Sequence, residues 1–141
     1  MRMKDIVFKE ARIINRGKMI EGDIWVRGDR IERIDPSISL QQQYTEVPVN
    51  GRYLIPGIID DQVHFREPGL EYKATIFSES RAAIAGGVTS FMEMPNTRPP
   101  AVTQELLEEK YKIAARTSWA NYSFFMGATN DNLDEVLKTD P

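Results

Sequence analysis

Cysteine is absent from this chain of 141 residues, and histidine occurs once, at His64. Without cysteine the chain can form neither a disulfide framework nor a cysteine-ligated zinc ribbon. With a single histidine, a histidine-rich metal site or a Ser-His-Asp triad would depend on His64 alone or on residues from elsewhere. These absences exclude several common metal and nucleophile chemistries for the chain by itself.

Long apolar runs and an excess of positive charge are also missing. No run approaches the roughly 18 apolar residues of a membrane-spanning helix, and Asp5 precedes any stretch that could act as a signal peptide. The net charge of −3 is spread over both signs and gives no basic footprint for nucleic acid. The sequence therefore predicts a folded cytoplasmic protein that binds neither membrane nor nucleic acid.

The first 52 residues have the pattern of strands. Apolar and polar side chains alternate with a period of two, and turn signals at Gly28 and at Asn50-Gly51 separate the runs. The pattern predicts that residues 1–52 form a small all-β module of short antiparallel strands.

From residue 53 onward, strands and helices alternate. Strands are predicted at 54–59, 88–94 and 121–126, and helices at 75–85, 103–115 and 130–137. The first strand is nearly continuously apolar, which is typical of a strand buried on both faces. The order predicts right-handed parallel crossovers. Since a closed eight-stranded barrel needs about 250 residues, the pattern leaves either a small open sheet or the front third of a barrel.

Four polar residues follow the first apolar run at every second position: Asp60, Gln62, His64 and Arg66. In a strand they would share one face, and burying so many polar groups is costly unless they bind something. Active sites of parallel barrels lie at the carboxyl ends of the strands. We therefore expect a functional site here, with the first three residues on one strand facing a common interior and Arg66 just past its end.

The same stretch carries a family resemblance. Residues 56–69 resemble the amidohydrolase signature, in which Asp-x-His-x-His ends the first barrel strand and supplies two metal ligands. The continuation Arg-Glu-Pro-Gly at 66–69 resembles dihydroorotases in particular, as do Ala-Gly-Gly-Val-Thr at 85–89 and Met-Pro-Asn-Thr at 94–97. This resemblance spans essentially the whole chain. It implies an α/β fold, the N-terminal part of a (β/α)8 TIM barrel, here at 53–141, preceded by a composite β-sandwich module at 1–52.

The resemblance also implies a function. Dihydroorotases are zinc-dependent cyclic amide hydrolases that interconvert N-carbamoyl-L-aspartate and dihydroorotate in pyrimidine synthesis, with one or two zinc ions that activate water and polarise the carbonyl. By the family pattern, Arg66 and Asn96 hold the substrate carboxylate. His64 is expected both as a substrate-binding residue beside them and as a metal ligand. The general-base Asp is expected on a later strand, outside the chain.

One position departs from the family pattern. Gln62 stands where the family usually has the first histidine of its pair, and an amide oxygen is a poorer zinc ligand than imidazole. Asp60 is expected to brace the strand end, outside the inner ligand set. The remaining ligands, a carboxylated Lys and two histidines, belong to later strands, so the chain alone is expected to be metal-poor and inactive. Gln62 itself either ligates or marks a site that has lost its metal.

Simpler roles remain open for each candidate. His64 alone could be a structural histidine, Arg66 could form an ion pair with Glu67, and Asn96 could cap a turn. Two other functions compete: a hydantoinase or allantoinase type of cyclic amidohydrolase, and a non-catalytic dihydroorotase-like structural partner, which Gln62 favours. The expected partners are a small-molecule substrate and either the rest of the barrel or another copy of the chain, with a homodimer as one form.

Overall fold

The computed structural model describes residues 5–139, and the chain divides between Pro56 and Gly57 into two units. The first unit holds strands β1 (Asp5–Asn15), β2 (Lys18–Arg27), β3 (Arg30–Asp35), β4 (Thr45–Pro48) and β5 (Tyr53–Leu54). The second holds β6 (Ile58–Val63), α1 (Ile76–Ala85), β7 (Val88–Glu93), α2 (Gln104–Thr117), β8 (Asn121–Phe124) and α3 (Leu133–Val136). No helix within residues 5–139 is long and apolar enough to span a membrane.

The first unit is one mixed sheet in the order β3-β2-β1-β4, with β5 also paired to β1. The strand pairs β1–β2 and β2–β3 are antiparallel, as predicted, because tight turns join them. The prediction of antiparallel pairing throughout was wrong, since β4 and β5 both run parallel to β1. The reason is the connection at 36–44, which carries the chain from β3 on one edge of the sheet to the far side of β1.

A buried carboxylate organises this sheet. Asp23 on β2 accepts hydrogen bonds from the backbone N–H groups of Glu10, at 2.9 Å, and Ile38, at 2.8 Å, and pairs with the Lys9 ammonium. Glu10 lies in a bulge of β1 and has a positive φ of 57°. Burial alone would raise the pKa of Asp23, but the hydrogen bonds from Lys9 and the two amides outweigh it and hold that pKa below its ordinary value.

The second unit is a parallel sheet in the order β6-β7-β8, with α1 and α2 as its crossovers. The predicted alternation of strands and helices is therefore confirmed. Thr75 caps α1 and Thr103 caps α2, where each side chain accepts a backbone N–H of the first turn. Gly87, with a φ of 88°, takes the left-handed position after α1.

The core of this unit lies among the sheet, α1 and α2. Its buried apolar residues are Phe65, Ile76, Phe91, Leu107, Ala114, Ala120 and Phe124. The rings of Phe65 and Phe91 are 4.5 Å apart between centroids, so the segment after β6 is packed directly onto β7.

The predicted first strand at 54–59 is corrected in both its limits and its burial. Leu54 belongs to β5, β6 begins at Ile58, and Ile58 and Ile59 are 51% and 69% exposed. The physical reason is that β6 is an edge strand of the three-stranded sheet within residues 5–139. An apolar composition typical of a central strand thus lies at a sheet edge.

Candidate functional site

The carboxyl ends of β6, β7 and β8 meet at one edge because the three strands are parallel. A cleft of about 490 Å³ lies there, lined by Asp61 and Gln62 at the end of β6, Met94 and Pro95 after β7, and residues 125–128 after β8. The polar residues predicted as the site all lie on β6 or on the loops that leave β6 and β7 at this edge.

His64 and Asn96 come together although they are separated by 32 positions. His64 Nδ1 lies 2.9 Å from Asn96 Oδ1. Because an amide oxygen only accepts, Nδ1 donates in this contact, and Nε2 is the ring nitrogen that the contact leaves unused. The Nδ2 donor group of Asn96 takes no part in this contact. Its oxygen binds His64, so the simple turn-cap alternative does not describe it.

Arg66 occupies an unusual backbone conformation directly after β6. Its φ is 73°, a left-handed value that costs a non-glycine residue about 1–2 kcal/mol. Its N–H donates to Glu93 Oε1 at 3.0 Å, and its carbonyl accepts from Leu70 N at 3.2 Å. Residues 66–70 are therefore closed into a tight loop whose start is anchored to β7.

Within residues 5–139, no carboxylate compensates the charge of the Arg66 side chain. The alternative of an Arg66–Glu67 ion pair is wrong, because Glu67 Oε2 instead accepts the N–H of Ile76 at 2.8 Å, at the start of α1. The guanidinium is therefore a charged fork without a protein partner in this part of the chain.

The loops that follow β6 and β7 are joined to each other. Arg98 N donates to Pro68 O at 3.0 Å, and Gly69 lies so close to Arg98 that a Cβ at position 69 would be 1.9 Å from its carbonyl oxygen. Gly69 also has a φ of 84°. Glycine is therefore required here twice, for its conformation and for the approach of the second loop.

Two buried charged residues at this edge were missed by the sequence analysis. Glu93, at the end of β7, is 1% exposed, and Lys110, on α2, is 0% exposed; Glu93 Oε2 lies 3.0 Å from Lys110 Nζ. Burial raises the pKa of Glu93 and lowers that of Lys110. The signal that could have found them is position: Glu93 follows Phe91 at strand spacing, and Lys110 lies within the apolar stripe of α2.

The predicted metal ligands are placed as follows. Asp60 and Gln62 lie on β6, but His64 lies directly after it, which corrects the prediction that all three share one strand. Pairing ends at Val63 because its partner Glu93 is the last residue of β7. Asp60 Oδ1 accepts the Gln62 N–H at 3.2 Å, so this carboxylate supports the strand end.

These donors do not fit a zinc ion. Residues 5–139 contain no group of three histidine, cysteine or carboxylate side chains placed to bind one metal. This edge offers one imidazole, at His64, the neutral amide of Gln62, and the carboxylates of Asp60 and Asp61, which are not grouped around one point with two further ligands. Zinc sites in proteins use three or four N, S or carboxylate ligands.

We expect the 141-residue chain to retain no stoichiometric zinc. After incubation with excess zinc and exhaustive dialysis, elemental analysis should give well below one ion per chain, and His64→Ala should give the same value. A parent chain that keeps one or more zinc ions, with the metal lost in His64→Ala, would contradict this.

Comparison with known proteins places the chain in a family. The sequence profile described as "Dihydro-orotase-like" matches residues 51–137. The chain is 38% identical over 124 residues to a dihydroorotase from Halobacterium salinarum, a match that covers 85% of this chain and 29% of that protein. It is 39% identical over 103 residues to a dihydroorotase from Anoxybacillus flavithermus, covering 72% of this chain and 24% of that one.

The fold is similar to that of solved amidohydrolase structures. Superposition on L-hydantoinase from Arthrobacter aurescens gives a TM-score of 0.90 at 28% identity, and covers 96% of this chain and 30% of that one. The chain spans less than a third of the length of each of these relatives. Its fold is α/β, and the profile match covers both loops described above. The chain belongs to the dihydro-orotase-like family.

Proposed function

We propose that the whole protein is a cyclic amidohydrolase of the dihydroorotase type, and that this chain supplies its carboxylate-binding loops. The observation that carries the proposal is the pair of joined loops. One holds the guanidinium of Arg66, which has no ion-pair partner among residues 5–139, and the other holds Asn96. In this proposal the second unit is the N-terminal part of a (β/α)8 barrel, and the first unit is the β module that precedes it.

The chemistry of the two side chains suits a substrate carboxylate. The guanidinium of Arg66 is a planar fork that can bind both oxygens of a carboxylate at once. Because Asn96 Oδ1 is engaged by His64, its Nδ2 is the atom that remains to donate to the ligand. Dihydroorotate carries a carboxylate on its ring, and the open-chain N-carbamoyl-L-aspartate carries the same group. The guanidinium and the amide would bind this carboxylate and so orient the substrate.

The chain's own residues would bind and orient the substrate rather than complete the reaction. Because they do not form a complete zinc site, the other ligands of a catalytic metal and the general-base Asp would have to come from the rest of the whole protein. His64 could contribute one ligand through Nε2, while Gln62 borders the cleft as a neutral polar group.

Two other functions have specific support. Structural similarity to L-hydantoinase favours a hydantoinase type of amidohydrolase, but Arg66 argues against it because hydantoin rings lack the carboxylate. Gln62, in place of a family histidine, favours a non-catalytic dihydroorotase-like protein. Assay of the whole protein for dihydroorotate hydrolysis, alongside measurement of its metal content, separates these functions.

Arg66→Lys in the whole protein is expected to lower kcat/KM for dihydroorotate by about ten- to a hundredfold. The lysine keeps the charge but loses the two-point contact, and a bidentate charged contact contributes on the order of 1.5–3 kcal/mol. Hydrolysis of dihydrouracil, the same ring without the carboxylate, should be unchanged by the substitution.

The matched control is Arg116→Lys, an exposed arginine in the last turn of α2, which should behave like the parent. If Arg66→Lys hydrolysed dihydroorotate at the parent rate, the role assigned to Arg66 would be wrong. An equal loss on both substrates would also contradict a contact with the carboxylate.

A further inference from the structure

Glu93 and Lys110 form a buried ion pair. The proposed function, binding of a substrate carboxylate by Arg66 and Asn96, gives this pair no role. Both side chains are excluded from solvent, and Lys110 Nζ lies 4.9 Å from the centroid of the Phe124 ring. Glu93 Oε2 lies 3.0 Å from Lys110 Nζ, so the two opposite charges are in direct contact. Placing two charges in an apolar layer is costly, and hydrophobic residues of similar volume often serve the fold as well.

Each side chain of the pair also forms a hydrogen bond with the backbone of one of the two site loops. Glu93 Oε1 accepts the N–H of Arg66, at the start of the first loop. Lys110 Nζ donates to the carbonyl of Met94 at 3.0 Å, two residues before Asn96 in the second loop. The pair therefore contacts the backbone on both sides of the edge where the predicted carboxylate-binding residues lie.

The contact at Arg66 is the more demanding of the two. A left-handed, non-glycine residue persists only where its surroundings hold it in place. The hydrogen bond from its N–H to Glu93 is such a restraint, and it comes from a side chain fixed by burial, an ion pair and a β-strand. A carboxylate accepts this bond more strongly than a neutral group would.

We propose that Glu93 is a positioning residue: its carboxylate fixes the left-handed backbone of Arg66, and so aims the guanidinium at the substrate carboxylate, while Lys110 supplies the opposite charge that keeps the carboxylate buried. The inference rests on the proposed function for the role of the guanidinium. The restraint on the Arg66 backbone is independent of that function and can be measured separately.

Two double variants of the whole protein test the proposal. Glu93→Leu with Lys110→Met removes both charges and the acceptor of the Arg66 N–H, and fills the same space with apolar groups. Glu93→Gln with Lys110→Met also removes both charges but keeps an acceptor oxygen. Since both variants lack the ion pair and the Met94 contact, the difference between them isolates the hydrogen bond to Arg66.

The Leu–Met variant is expected to raise KM for dihydroorotate by about ten- to a hundredfold with a much smaller change in kcat, because a misaimed binding group weakens binding throughout the reaction. In hydrogen exchange, the Arg66 amide should be protected in the parent and lose that protection in this variant. The Gln–Met variant should restore most of the affinity and of the protection.

Unchanged KM and exchange in the Leu–Met variant would overturn the proposal, as would a Gln–Met variant that restores neither. If the Leu–Met variant does not fold, hydrogen exchange of the parent protein still tests the proposal. An Arg66 amide that exchanges as fast as an amide in an unstructured chain would show that Glu93 does not restrain it. A whole protein without activity on dihydroorotate would remove the proposed function, while the exchange measurements would still decide whether Glu93 holds Arg66.

Discussion

Asp23→Asn is expected to lower the free energy of unfolding of the first unit by about 3 kcal/mol. Its buried carboxylate is the acceptor for two backbone amides and the partner of Lys9. Removing one partner of a buried ion pair costs about 3–5 kcal/mol, and the lower end applies because Lys9 is partly exposed and can reach water. The asparagine has nearly the same shape, but its NH₂ group would face donors.

Tryptophan fluorescence can follow this unit separately. The chain has two tryptophans, and Trp119 is 64% exposed in the second unit, so Trp119→Phe leaves Trp25 on β2 as the probe. Urea unfolding in that background should show the loss for Asp23→Asn. Asp29→Asn is the control, because Asp29 is an exposed turn residue and should change the free energy by less than about 0.5 kcal/mol. Equal midpoints for the two variants would refute the role of Asp23.

The same carboxylate should make the first unit sensitive to acid. The pKa of Asp23 is below its ordinary value of 3.8 in the folded chain. Its stabilisation is therefore fully present above pH 3.8, and is lost as the pH falls from there through the lower folded pKa. Asp5 also has a lowered pKa, because of its hydrogen bond from Trp25 and despite its partial desolvation, so the informative quantity is the difference between parent and Asp23→Asn. That difference should shrink below pH 3.8.

Local signals predicted most of the second unit. The starts of α1 and α2 follow from threonines at the N-cap, and the stop of α1 follows from the glycines after it. These features depend on residues a few positions apart, which a sequence shows directly. The parallel pairing of β4 and β5 with β1 depends instead on where a long connection leads, and the sequence pattern of a short strand carries no information about that.

Burial was harder to predict than secondary structure. The apolar run at 54–59 belongs partly to β5 and partly to the edge strand β6, because hydrophobicity does not tell which sheet a residue joins. Glu93 and Lys110 were not predicted, because charged residues are normally exposed and only pairing across 17 positions allows their burial. The motif predicted His64 and Asn96 as site residues, but their direct contact follows only from the adjacency of β6 and β7.

Gly69→Ala is expected to reduce kcat/KM for dihydroorotate in the whole protein by about a hundredfold or more. A Cβ at this position would lie 1.9 Å from the Arg98 carbonyl oxygen, which is backbone and cannot rotate away. The loops that carry Arg66 and Asn96 would have to separate, and a displacement of about 1 Å at a binding site can cost a hundredfold in rate. The positive φ of Gly69 adds about 1–2 kcal/mol of strain.

Gly87→Ala is the control that separates the effect of the clash with Arg98 from the effect of backbone strain at a positive φ. Gly87 has nearly the same φ, 88°, but a Cβ there would meet nothing within 4 Å. Both variants should lose stability from backbone strain, and thermal unfolding should show a larger loss for Gly69→Ala. The loss of kcat/KM should occur for Gly69→Ala alone, because Gly87 lies at the other end of β7, away from the two loops. If both variants kept the parent kcat/KM, the joined loops would not be what positions the carboxylate-binding residues.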